Sequence, residues 1–411
     1  MEWIETTVGE FCPFSYGKSL PQSKRIEGNY PVYGSNGIVG FHKEPNIKSH
    51  GIIIGRKGSI GEIHLSLTPF WAIDTSFYTV KESLPELKFT YYLLKTLGLN
   101  TMNSDSAVPG LNRDNAHSIK IKIPKLQSDR EKIAEFLSTF DQKITLNTQT
   151  NQTLEQIAQA IFKHWFIDFA PVHAKANALV RGETIEQAEL VAMACLSGKT
   201  VEKITALKTE DPTAYHQLQQ TAAAFPSEFV ETEMGKVPRG WEWLKIEQVI
   251  KKIPVGKKYS QKNTFPEGHI PVLDQGKSGI IGFHNDTAGV NASIQDPVIV
   301  FANHTCYMRL IHFDFSAIQN VFAFKGQNVN IYWLYLATLG KQKFVEYKGH
   351  FPDFLIKQIV VLPKELTEIF GNIVKDSFSK IALNLNTNEK LAKTRDLLLP
   401  KLLNGELTNG Y

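Results

Sequence analysis

A chain that carries one pattern twice has to build one framework two times over, and this chain does so. Gly37-Ile38-Val39-Gly40-Phe41-His42 returns as Gly279-Ile280-Ile281-Gly282-Phe283-His284, about 240 residues further on. Glu2-Trp3-Ile4 recurs as Glu242-Trp243-Leu244, Tyr30-Pro31-Val32 as Ile270-Pro271-Val272, and Thr96-Leu97-Gly98 as Thr338-Leu339-Gly340. Ile121-Lys122-Ile123-Pro124-Lys125 recurs as Ile359-Val360-Val361-Leu362-Pro363-Lys364. The order is kept and the offset drifts by only a few residues, as loop insertions would cause. Two copies in one chain make a pseudo-dimer, whose natural target has two similar halves.

Each copy has two sections. The first mixes short strand-like runs, such as Gly51-Ile52-Ile53-Ile54 and Pro297-Val298-Ile299-Val300, with Gly/Asn/Pro turns and a short helix around Tyr91–Leu97 or Tyr332–Leu339. The second section is a long helix. Alternate steps of four and three from Ile133 reach Leu137, Phe140, Ile144, Asn147, Asn151, Leu154, Ala158, Ile161 and Trp165, a heptad seam. The second copy gives Phe370, Val374, Ser377, Ile381, Asn384, Asn388, Leu391, Arg395, Leu398 and Leu402. Polar residues in an apolar seam set register, because only one alignment lets the amides bond each other. An antiparallel pair of these helices places Asn147 against Asn388 and Asn151 against Asn384.

The expected fold is therefore α+β: two similar domains in a pseudo-twofold arrangement, separated by two long helices that form an antiparallel coiled coil. The expected boundaries are 1–127 for the first domain, 128–168 for its helix, 239–363 for the second domain and 364–411 for its helix. Residues 169–238 have no counterpart after the second copy. They carry Ala/Glu/Gln-rich helical patterns at Thr184–Ser197, Thr200–Leu207 and Pro212–Phe225, and read as a helical connector.

Charge follows the repeat. Residues 1–127 carry a balance of +3 and residues 239–363 a balance of +5, while the connector stands at −3. Positive charge in the two repeated parts suits a polyanion-binding pseudo-dimer. Cys12, Cys195 and Cys306 are too few and too far apart for a disulfide framework or a metal knot, and fit a reducing cytoplasm. The amino terminus has no basic region followed by an apolar stretch, and no apolar run is long enough to span a bilayer. A cytoplasmic protein without membrane association is expected.

Catalytic motifs are absent from this reading. Gly55-Arg56-Lys57-Gly58-Ser59-Ile60-Gly61 lacks the spacing of a phosphate loop or a dinucleotide fingerprint. Gly276-Lys277-Ser278 resembles the tail of a phosphate loop, but position 271 is Pro where the earlier Gly belongs. The histidines lack zinc-ligand spacing, so no metal, no cofactor and no catalytic residue is expected. What remains are basic and amide side chains on predicted loops: Lys18, Arg56, Lys57, Ser59, Asn112 and Arg113 in the first copy, and Lys257, Lys258, Asn303, His304, Thr305, Lys348 and His350 in the second. Arg and Lys read guanine edges and neutralise phosphates, and Asn pairs with adenine in the major groove. Matching frameworks with divergent loops suit two domains that read different sequences.

The chain resembles a specificity subunit of a type I restriction-modification system. The resemblance rests on the domain–helix–domain–helix order, on Gly51–Gly61, and on Phe70-Trp71-Ala72-Ile73-Asp74-Thr75. It rests also on Ile123-Pro124 leading into the first long helix, on Phe162-Lys163-His164-Trp165-Phe166-Ile167-Asp168-Phe169-Ala170-Pro171-Val172, and on Glu233-Met234-Gly235-Lys236-Val237-Pro238-Arg239-Gly240-Trp241. It implies a non-catalytic subunit with two target-recognition domains, each reading half of an interrupted site in duplex DNA. The long helices would act as a spacer and dock two methyltransferase subunits, which would bind S-adenosylmethionine, and motor-nuclease subunits would join for cleavage. The alternative from another class is an adaptor whose duplicated domains bind protein or glycan.

Overall fold

The computed structural model describes residues 1–102, 110–276, 279–346 and 348–407. The chain divides into two units, Met1–Thr148 with Leu385–Tyr411 and Gln149–Asn384. Each unit thus holds one repeated domain and a portion of both long helices.

In the first unit, Gly51–Gly55 is the strand around which the domain is built. A short unbroken apolar run flanked by glycines suits a strand covered on both faces, and all five of its residues are buried. Side chains alternate across a strand. Ile52 and Ile54 accordingly join the main core with Phe77, Leu87 and Phe89, whereas Ile53 faces a smaller core of Tyr33, Phe70 and Ala72. The four-stranded sheet runs in the order Ser15–Tyr16, Ser76–Thr79, Gly51–Gly55, Ile63–Ser66. A three-stranded sheet pairs Gly37–His42, Tyr30–Gly34 and Trp71–Ala72, and Trp3–Thr7 pairs antiparallel with Lys120–Pro124. The helix expected at Tyr91–Leu97 begins earlier and spans Leu84–Thr96. Ser83 caps it and Pro85 lies in its first turn, where the missing N–H has no intrahelical acceptor anyway.

The second unit repeats this plan. Val298–Ala302 is wholly buried, with Val298 and Val300 on one core and Ile299 and Phe301 on another. The repeated hairpin keeps its register to the residue. Tyr30, Pro31 and Val32 face His42, Phe41 and Gly40, and a bulge follows Val32. Ile270, Pro271 and Val272 face His284, Phe283 and Gly282, and a bulge follows Val272. Gly282 has φ +154°, and a Cβ there would lie 2.8 Å from Thr264 Cβ, so the tight crossing requires glycine.

The first long helix spans Gln127–Phe162 and passes into a π-turn at Lys163–Ile167; the second spans Lys364–Leu403. Within each unit the two run antiparallel. In the first unit Asp141 meets Arg395, and Asn147 Nδ2 donates to Asn388 Oδ1 at 2.8 Å. Ile133, Ala134 and Leu137 share the domain core with Leu399, Leu402 and Leu403. In the second unit Asn384 Nδ2 donates to Asn151 Oδ1 at 2.8 Å, and the rings of Phe162 and Trp165 lie 5.8 and 6.0 Å from that of Phe370.

The connector contains the expected helices at Ile185–Ser197, Val201–Glu210 and Pro212–Ala223, the first closed by a Thr184–Gln187 capping box. It also contains a helix at Ala170–Val180 and a hairpin, Phe229–Thr232 with Gly235–Pro238, which periodicity did not reveal. It belongs to the second unit: its Val172 and Phe225 enter the same core as Trp165, Phe166, Trp241 and Phe370. The aromatic motif Phe162–Phe166 is therefore packing material.

Candidate nucleic-acid interface

In the first unit the candidate residues come together. Arg56 and Lys57 donate their backbone N–H groups to Thr75 O at 2.9 and 3.1 Å, and Leu111 N donates to Arg56 O at 2.9 Å. Lys57 also forms an isolated bridge with Gly110. This ties the Gly55–Gly61 loop to the segment bearing Asn112 and Arg113. Asn112 caps the short helix Arg113–His117, its Oδ1 accepting from Asp114 N and Asn115 N, so its carbonyl is engaged internally. The glycines explain the loop's closeness: a Cβ at Gly55 would lie 1.9 Å from Ser59 O. Ser59 thus turns over the strand end. Lys18 is exposed and joins the same neighbourhood, with its N–H on Ala72 O at 2.8 Å and its carbonyl accepting from Trp71 Nε1 at 2.8 Å.

Two groups form in the second unit. His304, Thr305 and Lys348 form a chain of contacts starting at Gln275: His304 N donates to Gln275 Oε1 at 2.9 Å, Thr305 Oγ1 donates to Gln275 O, and the His304 ring meets Lys348 O at 2.9 Å. Lys348 is exposed and pairs with Glu346 and Asp353 at 3.3 and 3.4 Å. Lys257 and Lys258 stand elsewhere, beside Tyr259. There Lys257 pairs with Asp286 at 2.9 Å, and Tyr259 stacks on His284 at 4.1 Å between ring centroids. The Lys257 and Tyr259 hydrogen bonds hold Asp286 below the usual carboxylate range.

Two residues differ from the expectation of exposed loop groups. Asn303 is 8% exposed and His350 is fully buried. Asn303 O accepts from His350 N at 3.0 Å and its Oδ1 accepts from Phe351 N at 2.8 Å. The physical reason is backbone demand: the start of the helix Phe351–Leu355 leaves N–H groups without helical acceptors, and the Asn303 amide supplies one. Their side chains hold the loop in place rather than reach outward. Lys277 and Ser278, the phosphate-loop look-alike, lie outside the described residues.

Sequence reasoning passed over two residues that shape these loops. Arg309 is half-buried, which lowers its pKa, and it donates to Gly279 O at 2.9 Å and Asp274 O at 2.7 Å, bracing the hairpin turn. Tyr16 lies under the guanidinium groups of both Arg56 and Arg113. Neither carries a local signal, because both act on segments distant in sequence. Among the described residues, no three His, Cys, Asp or Glu side chains cluster to hold a metal ion, and no helix is long and apolar enough to cross a membrane.

A family model described as type I restriction modification DNA specificity domain matches residues 1–156. The HindI specificity subunit of Haemophilus influenzae, a type I restriction enzyme component, is 33% identical over 376 residues, covering 82% of this chain and 81% of that protein. The MjaIX specificity subunit of Methanocaldococcus jannaschii is 24% identical, covering 87% and 77%. The fold is similar to that of the type I restriction-modification S subunit from M. genitalium, with a TM-score of 0.55 at 15% identity over 98% of this chain and 96% of that one. The repeated domain is thus of the DNA-specificity class. The chain belongs to the type I restriction enzyme specificity subunits.

Proposed function

We propose that this chain reads DNA sequence for a type I restriction-modification complex, each repeated domain binding one half of an interrupted duplex site. Membership of the specificity-subunit family carries the reading. The duplicated hairpin supports it, since an identical register with different flanking loops lets one framework present two base preferences. In the first domain, Lys18, Arg56, Lys57 and Arg113 would neutralise phosphates or form bidentate contacts with guanine, and Ser59 and Asn112 shape the loops that carry them. In the second, Lys257, Lys258, His304, Thr305 and Lys348 would do so, with Asn303 and His350 supporting from beneath. The methyl donor and the chemistry would belong to two modification subunits, and cleavage to motor-nuclease subunits. This chain supplies recognition and docking. The adaptor alternative is not favoured by the family.

The paired helices would set the unread gap. Four residues added to the helical spacer lengthen it by about 6 Å at 1.5 Å per residue, against roughly 3.4 Å per base pair. Methylome sequencing of a strain carrying the insertion should show a gap longer by one or two base pairs. An unchanged gap would refute the spacer role. Loss of the chain without loss of any sequence-specific methylation would refute the reading as a whole.

A further inference from the structure

Two guanidinium groups from loops far apart in sequence converge on one ring. Arg56 Cζ lies 4.9 Å and Arg113 Cζ 5.0 Å from the centroid of Tyr16, which is 51% exposed. The two cations are then at most about 10 Å apart by those distances, close enough to repel. Arg56 Nη1 donates to Asp74 O at 3.1 Å, and Arg113 is fixed as the first residue of a capped helix. Arg113 Nε is buried with no hydrogen-bond partner, Asp114 Oδ1 lying 3.5 Å from it. Tyr16 pairs with Phe77 across the sheet and meets its ring edge-on at 5.0 Å. A Cβ on the next residue, Gly17, would lie 2.0 Å from Ile73 O, so only glycine lets the strand leave the ring in this position.

A lone surface arginine samples many rotamers, and fixing them opposes binding. A ring beneath both arginines removes much of that freedom in advance. We propose that Tyr16 is a positioning residue for base readout: it presents Arg56 and Arg113 as a preset pair to the acceptor edges of guanines in duplex DNA. This rests on the DNA-reading function proposed above. It adds a residue that contacts no base itself and yet sets which bases are read.

The test uses the full chain reconstituted with its modification subunits, with competition binding to duplex oligonucleotides and methylome mapping. Tyr16→Leu should weaken binding to the site by about 5- to 30-fold, the loss of two exposed cation–π contacts. It should also relax base choice in one half of the site only. Tyr16→Phe, which keeps the π face, should remain within about threefold of the parent. Should Tyr16→Leu fail to assemble, Tyr16→Met takes its place. If Tyr16→Leu matches the parent while Arg56→Ala or Arg113→Ala weakens binding, the platform is refuted and the DNA-reading function stands. If none of these variants changes binding, this loop cluster is not at the DNA and the interface falls with it. An equal loss on every sequence, with a shallower salt slope, would assign the arginines to phosphates and overturn base readout.

Discussion

Replacing Asn147 by Leu tests whether the amides in the helix seam act as reciprocal pairs. Asn147 is 4% exposed, and its Nδ2 is the donor at 2.8 Å to Asn388 Oδ1. Removing it strands the carbonyl of Asn388, a half-buried side chain that the seam shields from water only in part. The Asn388 Nδ2 keeps only long contacts, 3.4 Å to Ile144 O and 3.4 Å to Thr148 Oγ1. A buried polar group deprived of its partner costs about 1–3 kcal/mol, whereas replacing both partners by apolar groups is close to neutral. Asn147→Leu alone should therefore destabilise by about 1–3 kcal/mol. The Asn147→Leu/Asn388→Leu pair should return to within about 1 kcal/mol of the parent. With a sensitivity of about 2–4 °C per kcal/mol for a domain of 150–250 residues, the single change lowers the relevant melting transition by roughly 2–12 °C. Thermal melts followed by circular dichroism on the four proteins of the double-mutant cycle give the coupling directly. A single variant as stable as the parent, or a double variant that loses the sum of the two singles, would refute the reasoning.

Two further outcomes follow from the second unit. A Cβ at Gly371 would lie 2.2 Å from Asn330 Cγ, and Asn330 both caps the helix Ile331–Thr338 and donates to Glu368 Oε2 at 2.8 Å. Gly371→Ala should therefore cost about 1–2 kcal/mol net of its helix-propensity gain, and the cost should vanish in an Asn330→Ala background, as urea midpoints will show. His312 is held neutral by burial, its pKa pushed down to about 4, and its Nε2 has no hydrogen-bond partner. The unfolded chain binds this proton near pH 6.5 and the native chain refuses it until about 4, so stability is full above 6.5 and falls as pH drops through that window. The loss is on the order of 3 kcal/mol, and His312→Gln should flatten that part of the profile in denaturant titrations at pH 7 and 4.5.

The repeated framework was legible because its constraints are local. Gly40 and Gly282 sit at positive φ inside strands, where a side chain is strained, and the motif around them marks the hairpin in both copies. The antiparallel pairing of the long helices was legible for a similar reason: a seven-residue period and the seam residues can be counted along one segment. What stayed hidden was tertiary. Nothing near Tyr16 announces that Arg56 and Arg113 will meet over it. Asn303 and His350 read as loop residues able to reach DNA, and the pairing that buries them is remote: Asn303 accepts from the backbone N–H groups of His350 and Phe351, nearly fifty residues further along the chain. The helix expected from Tyr91 starts instead at Leu84, where the Ser83 cap and Pro85 in the first turn mark its true beginning.

The first unit draws Leu399, Leu402 and Leu403 into the core that also holds Val8, Phe14 and Ile52. Its two sequence segments are separated by the whole of Gln149–Asn384. On a ribosome adding about 5–20 residues per second, the earlier segment waits roughly 12 to 50 seconds for the later one. The intervening unit is contiguous and can close first, so the amino-terminal domain is the last to be completed and the natural client of a chaperone during synthesis.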